Sequence, residues 1–152
     1  MSEARFPAER GSYLLWMYLA RGQEMGIGGL GLHEFRRGWY AYCGSAFGPG
    51  GLRARLNHHL KEAQRPHWHI DYLKEAAEIR AVWICRGVNS EHDWSRRLLT
   101  LAAAQIPLSG FGSSDCNCRS HLVYLPRRPA SRIVQELLRG DCPIGRYNLG
   151  RA

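Results

Sequence analysis

Residues 39–60, WYAYCGSAFGPGGLRARLNHHL, change character midway, and that change decides the fold class. Trp39 to Gly44 is an aromatic run suited to a buried strand, because flat side chains pack well on a pleated surface. Ser45 to Gly51 is a glycine-rich loop carrying Pro49. From Leu52 the period switches: Leu52, Leu56 and Leu60 recur every fourth residue, the stripe of an amphipathic helix. The stretch therefore predicts a strand that turns through a tight loop into a helix.

Working outward, Ser12 to Ala20 (SYLLWMYLA) lies between Gly11 and Arg21-Gly22 and reads as another buried strand. Gly26 to Leu32 alternates glycine with apolar residues and predicts a short strand or hairpin. Arg65-Pro66 interrupts the helix, and Trp68 to Ala77 predicts a second, shorter one. Ile79 to Cys85 is a further strand. Ser90 is placed as an N-cap, with Asp93 at the third helical position, opening a helix through about Ala104 that Pro107 terminates. A loop rich in glycine and serine leads to a short strand, His121 to Leu125, and a helix from Ser131 to Leu138. The tail from Gly140 is expected to be partly disordered. This order gives an α+β domain: a small antiparallel sheet flanked by helices, with an extra C-terminal strand and helix. Residues 1–10 form a polar lead, 11–125 the main domain, and 126–152 a C-terminal helix and tail.

The 152 residues suit one domain, and 45% hydrophobic content suffices for one core. No stretch approaches the roughly 20 apolar residues that span a bilayer, and Met1 to Arg10 lacks the apolar block of a secretion signal, so the cytoplasm is expected. The formal charge is +8, mostly from arginine, which favours a polyanionic partner. Five scattered cysteines (Cys43, Cys85, Cys116, Cys118 and Cys142) argue against a disulfide framework.

Placed on these elements, Tyr13 lies on the first strand and Tyr42 on the strand ending at Gly44. Arg55 lies on the following helix, with His59 one turn later on the same face, and Glu91 opens the third helix. Together they supply what phosphodiester hydrolysis requires: a group to activate water, a fixed cation, and a carboxylate for a hard metal ion. Taken singly, each has a duller reading. Strand tyrosines usually pack, an arginine on a helix is usually solvated, and an acid in a first helical turn meets the helix dipole whatever its function.

Gly11-Ser12-Tyr13, then Tyr42-Cys43-Gly44-Ser45-Ala46, then Leu52-x-x-Arg55-Leu56-x-x-His59-Leu60, resembles the core signature of GIY-YIG nucleases. That family includes homing endonucleases, the bacterial excision-repair incision subunit and some restriction enzymes. His67-Trp68-His69-Ile70-Asp71-Tyr72-Leu73 and Phe111-Gly112-Ser113-Ser114-Asp115-Cys116-x-Cys118-x-Ser120-His121-Leu122 resemble its Uri branch. The similarity runs from about Gly11 to Leu125. It implies a three-stranded antiparallel sheet, a one-metal hydrolytic site, and site roles for Tyr13, Tyr42, Arg55, His59 and Glu91. Glu91 matches the metal-binding glutamate because an apolar residue, Trp94, follows three positions later. Ser12 and Cys43 depart from the usual apolar middle residues of the two motifs, and the segment between the motifs is lengthened by the insertion at Gly26 to Leu32.

The resemblance implies a metal-dependent endonuclease acting on DNA, of a strandedness the sequence leaves open, with DNA repair or genome maintenance as its setting. Glu91 would hold Mg²⁺ (or Mn²⁺) and Arg55 would grip the phosphate. Tyr42 is the first choice as general base, backed by Tyr13, an order that could be reversed; Arg55, His59 and the ion would lower the phenol pKa. Arg53, Lys61, His67 and His69 are candidate nucleic-acid contacts. The rival is a nucleic-acid-binding module of the same fold that has lost cleavage. A third possibility is a thiol- or zinc-dependent accessory domain centred on Cys116 and Cys118.

Two further clusters invite a metal reading. His67-x-His69-x-Asp71 places its members two apart, which on a helix sends them in different directions. Cys116-x-Cys118-x-x-His121 offers three zinc donors at unusual spacing, and a loop closed by hydrogen bonds from Ser113, Ser114 and Asp115 is preferred. Gly48 to Gly51 could present backbone N–H groups to phosphate at the helix start, or simply deliver the chain into the helix.

Overall fold

Strand β1 (Gly11–Leu19) runs through the middle of the sheet, and its near-continuous apolar sequence follows from having both faces covered: only Tyr18 is less than fully buried. The computed structural model describes residues 6–61, 65–66, 68–112, 119–140 and 142–149. On one side β1 pairs antiparallel with β4 (Gly38–Ala46), and on the other with β5 (Glu78–Arg86). Strand β6 (Leu122–Leu125) extends the sheet beyond β4, and β7 (Ile144–Asn148) extends it beyond β5. The sheet thus has five strands in the order β6-β4-β1-β5-β7. The implied three-stranded sheet is its centre, and the segment expected to be a partly disordered tail supplies an edge strand. The glycine-rich insertion is flanked by a separate hairpin, β2 (Gln23–Gly26) with β3 (Leu32–Phe35), joined through a single 3-10 turn.

Strand alternation sorts the core into two layers. Tyr13, Leu15, Met17, Tyr40, Tyr42, Val82 and Ile84 face α1 (Gly51–Leu60) and α2 (His69–Leu73), which bring Leu52, Leu56, Ile70 and Leu73. Leu14, Trp16, Ala41, Cys43, Ala81 and Trp83 face the opposite way, under Trp94 and Leu98 of α3 (Glu91–Leu98) and Val134 of α4 (Ser131–Leu137). The Trp16 and Trp83 rings meet edge to face at 5.8 Å. Burying each such side chain contributes on the order of 1.5–3 kcal/mol.

Several local expectations are corrected. Helix α3 ends at Leu98 rather than near Ala104, and the following turns include Ala103 at φ 66. Ser90 makes no side-chain cap, and Asp93 pairs with Arg97 at 3.0 Å instead of closing a capping box. Helix α2 stops at Leu73 and Leu60 is exposed, so the leucine stripe of α1 buries only Leu52 and Leu56. The polar lead is part of the fold: Phe6 is buried, and the carbonyls of Glu9 and Pro7 accept the N–H groups of Leu52 and Arg53 at 2.9 Å each. Those bonds occupy donors that a phosphate cradle at the start of α1 would need. Cys85 and Cys142 form a disulfide between β5 and the approach to β7, a pairing the cysteine pattern did not suggest, while Cys43 is a buried free thiol.

Candidate active site

Tyr13 and Gly44 are register partners, and a Cβ at Gly44 would collide with the Tyr13 ring and hydroxyl. The glycine ending Tyr42-Cys43-Gly44 is therefore what lets Tyr13 lie flat across β4. Two residues earlier on the same face, Tyr42 sets its ring 6.4 Å from that of Tyr13. Helix α1 brings His59 over both, with its Nε2 2.6 Å from the Tyr13 hydroxyl and its ring 6.3 Å from that of Tyr42. One turn earlier, the Arg55 guanidinium stacks on the Trp68 indole, 4.3 Å from the ring centroid.

Supporting groups fix this arrangement. The Trp68 backbone N–H donates to Asp71 Oδ2 at 2.9 Å, and Lys74 Nζ and His58 Nε2 lie 3.7 and 3.4 Å from Oδ1 of that fully buried carboxylate. Lys74 also donates to the carbonyls of His58, His59 and Lys61 at 3.1, 3.1 and 2.9 Å, closing the end of α1 that carries His59. Sequence reasoning missed Lys74, although its spacing three residues after Asp71 was a usable signal. His69 Nδ1 accepts from the Gly112 N–H at 2.8 Å, and Gly112, at φ 68, sits where a Cβ would come within 3.0 Å of the Tyr42 ring. His69 and Asp71 thus serve different partners rather than one ion. Arg53 is exposed and its Nε donates to the Phe6 carbonyl at 2.8 Å; Lys61 is exposed at the end of α1. His67, Cys116 and Cys118, and with them the test of the proposed zinc loop, lie outside the described residues.

Glu91 comes from the other layer, as the first residue of α3. The serine in Gly11-Ser12-Tyr13 has a role there: its hydroxyl donates to the Val88 carbonyl at 2.7 Å and accepts the Ser90 N–H at 2.6 Å, fixing the residue before Glu91. Glu91 Oε1 lies 3.5 Å from His121 Nδ1 and 3.7 Å from His92 Nε2. One ligand atom from each of the three residues lies within 4.8 Å of the others, so the group can hold a divalent ion. Sequence reasoning found Glu91 and considered His121 only for zinc; His92 was missed, since neighbours on a helix do not ordinarily share a face.

Burial dominates the electrostatics. It raises the Tyr13 and Tyr42 pKa well above the ordinary phenol value; Glu91 adds to the rise at both, and Arg55 opposes it. The carboxylate also raises Cys43, after burial. Burial lowers His59 to about 3, with Lys74 and Arg55 adding to the effect. His59 is therefore neutral near pH 7 and does not supply the positive charge expected of it. The structure brings Tyr13, Tyr42, His59 and Arg55 together on one face, with Glu91 reaching both phenols electrostatically from the other.

The sequence matches the family described as "Domain of unknown function DUF123" over residues 12–140. No curated protein and no solved structure matches the chain. Among the described residues, no helix is long and apolar enough to cross a membrane.

Proposed function

We propose that this chain, which belongs to the DUF123 family, is a metal-dependent endonuclease of the GIY-YIG type, Uri branch, hydrolysing DNA phosphodiester bonds in the cytoplasm. The observation that carries the reading is the hydrogen-bonded Tyr13–His59 pair, with Tyr42 and Arg55 around it and the charge of Glu91 acting on both phenols. Packing alone gives no reason for two phenols, an imidazole and a guanidinium to share one locality within reach of a carboxylate charge.

Tyr42 keeps 8% of its surface exposed and Tyr13 none, so Tyr42 is the phenol that meets a substrate water and acts as general base. Its oxygen must be deprotonated at attack, against a pKa raised chiefly by burial. Glu91 would hold Mg²⁺ or Mn²⁺, and an ion there would supply positive charge for the phosphoryl and leaving oxygens and offset the negative charge that this carboxylate presents to the tyrosines. Arg55 uses its flat face on Trp68, and a guanidinium so stacked can direct in-plane N–H groups at non-bridging oxygens. Tyr13 and His59 hold the rear of the site: each fixes the other, and together they keep Tyr42 from reorienting. Exposed Arg53 and Lys61, on the side of α1, would contact the DNA backbone.

The binding module without cleavage remains the second reading, favoured by phenols that burial holds protonated. Incubation of the pure protein with single-stranded, duplex and branched DNA, with Mg²⁺, Mn²⁺ or chelator, separates the two. Nicking that requires the ion and stops with chelator is the expected result. Retarded DNA that stays intact with every ion would leave the binding module instead.

A further inference from the structure

We infer that Glu91, His92 and His121 form a three-donor centre selective for a first-row transition ion of the Mn²⁺ or Co²⁺ kind over Mg²⁺, with both histidines as ligands. This deepens the nuclease reading, resting on it for the use of the ion but not for its binding.

Both imidazoles approach the same carboxylate oxygen, Oε1 of Glu91, from different elements: His92 from α3 and His121 from the residue before β6. An ion bonded at about 2.0–2.2 Å sets its ligand atoms roughly 3 to 3.5 Å apart. The Glu91–histidine separations of 3.5 and 3.7 Å are close to that spacing, and all three donors lie within 4.8 Å of one another, so binding draws the two imidazoles together. The remaining closure falls to His92, whose side chain is 40% exposed, whereas that of His121 is buried. His121 is held on both sides by backbone, its N–H donating to Phe111 at 2.9 Å and its carbonyl accepting from Cys43 at 3.0 Å. Glu91 is held through Ser12 and Ser90. These bonds fix the backbone from which His121 and Glu91 project before the ion arrives.

The donor chemistry sets the selectivity. Mg²⁺ takes oxygen ligands and retains its waters, so a carboxylate alone would serve it and two ring nitrogens add little. Imidazole nitrogens bind every divalent first-row transition ion better than Mg²⁺, Mn²⁺ least and Co²⁺ more. Three protein donors also leave coordination positions for water and a phosphate oxygen.

The test is a titration of metal-free, full-length protein without DNA: Mn²⁺ followed by loss of its free spin-resonance signal, and Mg²⁺ by calorimetry. One Mn²⁺ per chain should bind, at least about tenfold tighter than Mg²⁺. His92→Gln should weaken Mn²⁺ binding at least about tenfold while leaving Mg²⁺ binding little changed. Its partly exposed position keeps this variant folded, and a thermal melt verifies that; His121→Gln should weaken binding as much. Equal affinity for the two ions, or Mn²⁺ binding indifferent to His92→Gln, overturns the centre, even where DNA is cut with Mg²⁺. Selective, histidine-dependent binding by a protein that cuts no DNA with any ion keeps the centre and removes the nuclease.

Discussion

The two faces of the sheet are built from the same strands yet do different work. Beneath α1 and α2, β1 and β4 present Tyr13 and Tyr42, and the helices answer with His59, while buried Asp71 and half-buried Lys74 brace the layer. Beneath α3 and α4 the same strands present Leu14, Trp16, Ala41 and Cys43 to Trp83, Trp94 and Leu98, an almost wholly apolar layer. Alternation along a strand thus lets one sheet hold a polar, hydrogen-bonded layer and an almost wholly apolar one. What joins them is the start of α3, where Glu91 sits on the structural side and acts on the phenols of the other.

If the division is real, damage to each face should have a different signature. The largest effect on stability is expected from Trp83→Ala on the apolar face, at about 3–5 kcal/mol in a denaturant melt. Tyr13→Phe on the tyrosine face keeps the ring but leaves His59 Nε2 without its partner, costing about 1–3 kcal/mol. A Tyr13→Phe chain as unstable as Trp83→Ala would break the comparison.

The next effect is the pH dependence that His59 adds from the tyrosine face. His59 is held neutral in the fold, with a pKa of about 3, against an ordinary value of about 6.5 in the unfolded chain. The stability it contributes is complete above the unfolded value and is lost as pH falls from there toward about 3. Urea melts across that window should show His59→Gln falling less steeply than the wild type. Burial also lowers His69 and His121, so part of the slope must survive in the variant. Identical slopes would mean that His59 is not the buried neutral group described.

The smallest effect is electrostatic. Glu91→Gln removes a negative charge that raises both phenols, so in metal-free protein the Tyr13 and Tyr42 titrations should move downward. The shift is modest because burial remains the larger cause; NMR chemical shifts of the two tyrosine rings, followed upward in pH as far as the fold survives, measure its onset. An unmoved titration would disconnect the two faces.

Much of this was legible in the sequence, where local pattern and final environment agreed. The continuous apolar run of β1, the aromatic run of β4 and the period change into α1 each specify one element, and the motif spacing named Tyr13, Tyr42, Arg55, His59 and Glu91. The remainder depended on contacts distant in the chain. Strand β7, half-exposed and containing Gly145, exists because β5 offers an edge to pair with. The start of α1 is filled by carbonyls of residues that looked like a polar lead. Ser12 looked like a tolerated departure, yet it anchors the loop before Glu91. His92 and His121 lie far apart in sequence and meet only through the packing of α3 beside β6.

The most direct test of the central claim is single-turnover cleavage of DNA, under Mg²⁺ and under Mn²⁺, by the wild type, Arg55→Ala and Glu91→Gln, each matched to its thermal melt. Both variants should stay folded and lose about 10²–10³-fold in rate. A folded Glu91→Gln or Arg55→Ala protein that cuts as fast as the wild type would contradict it.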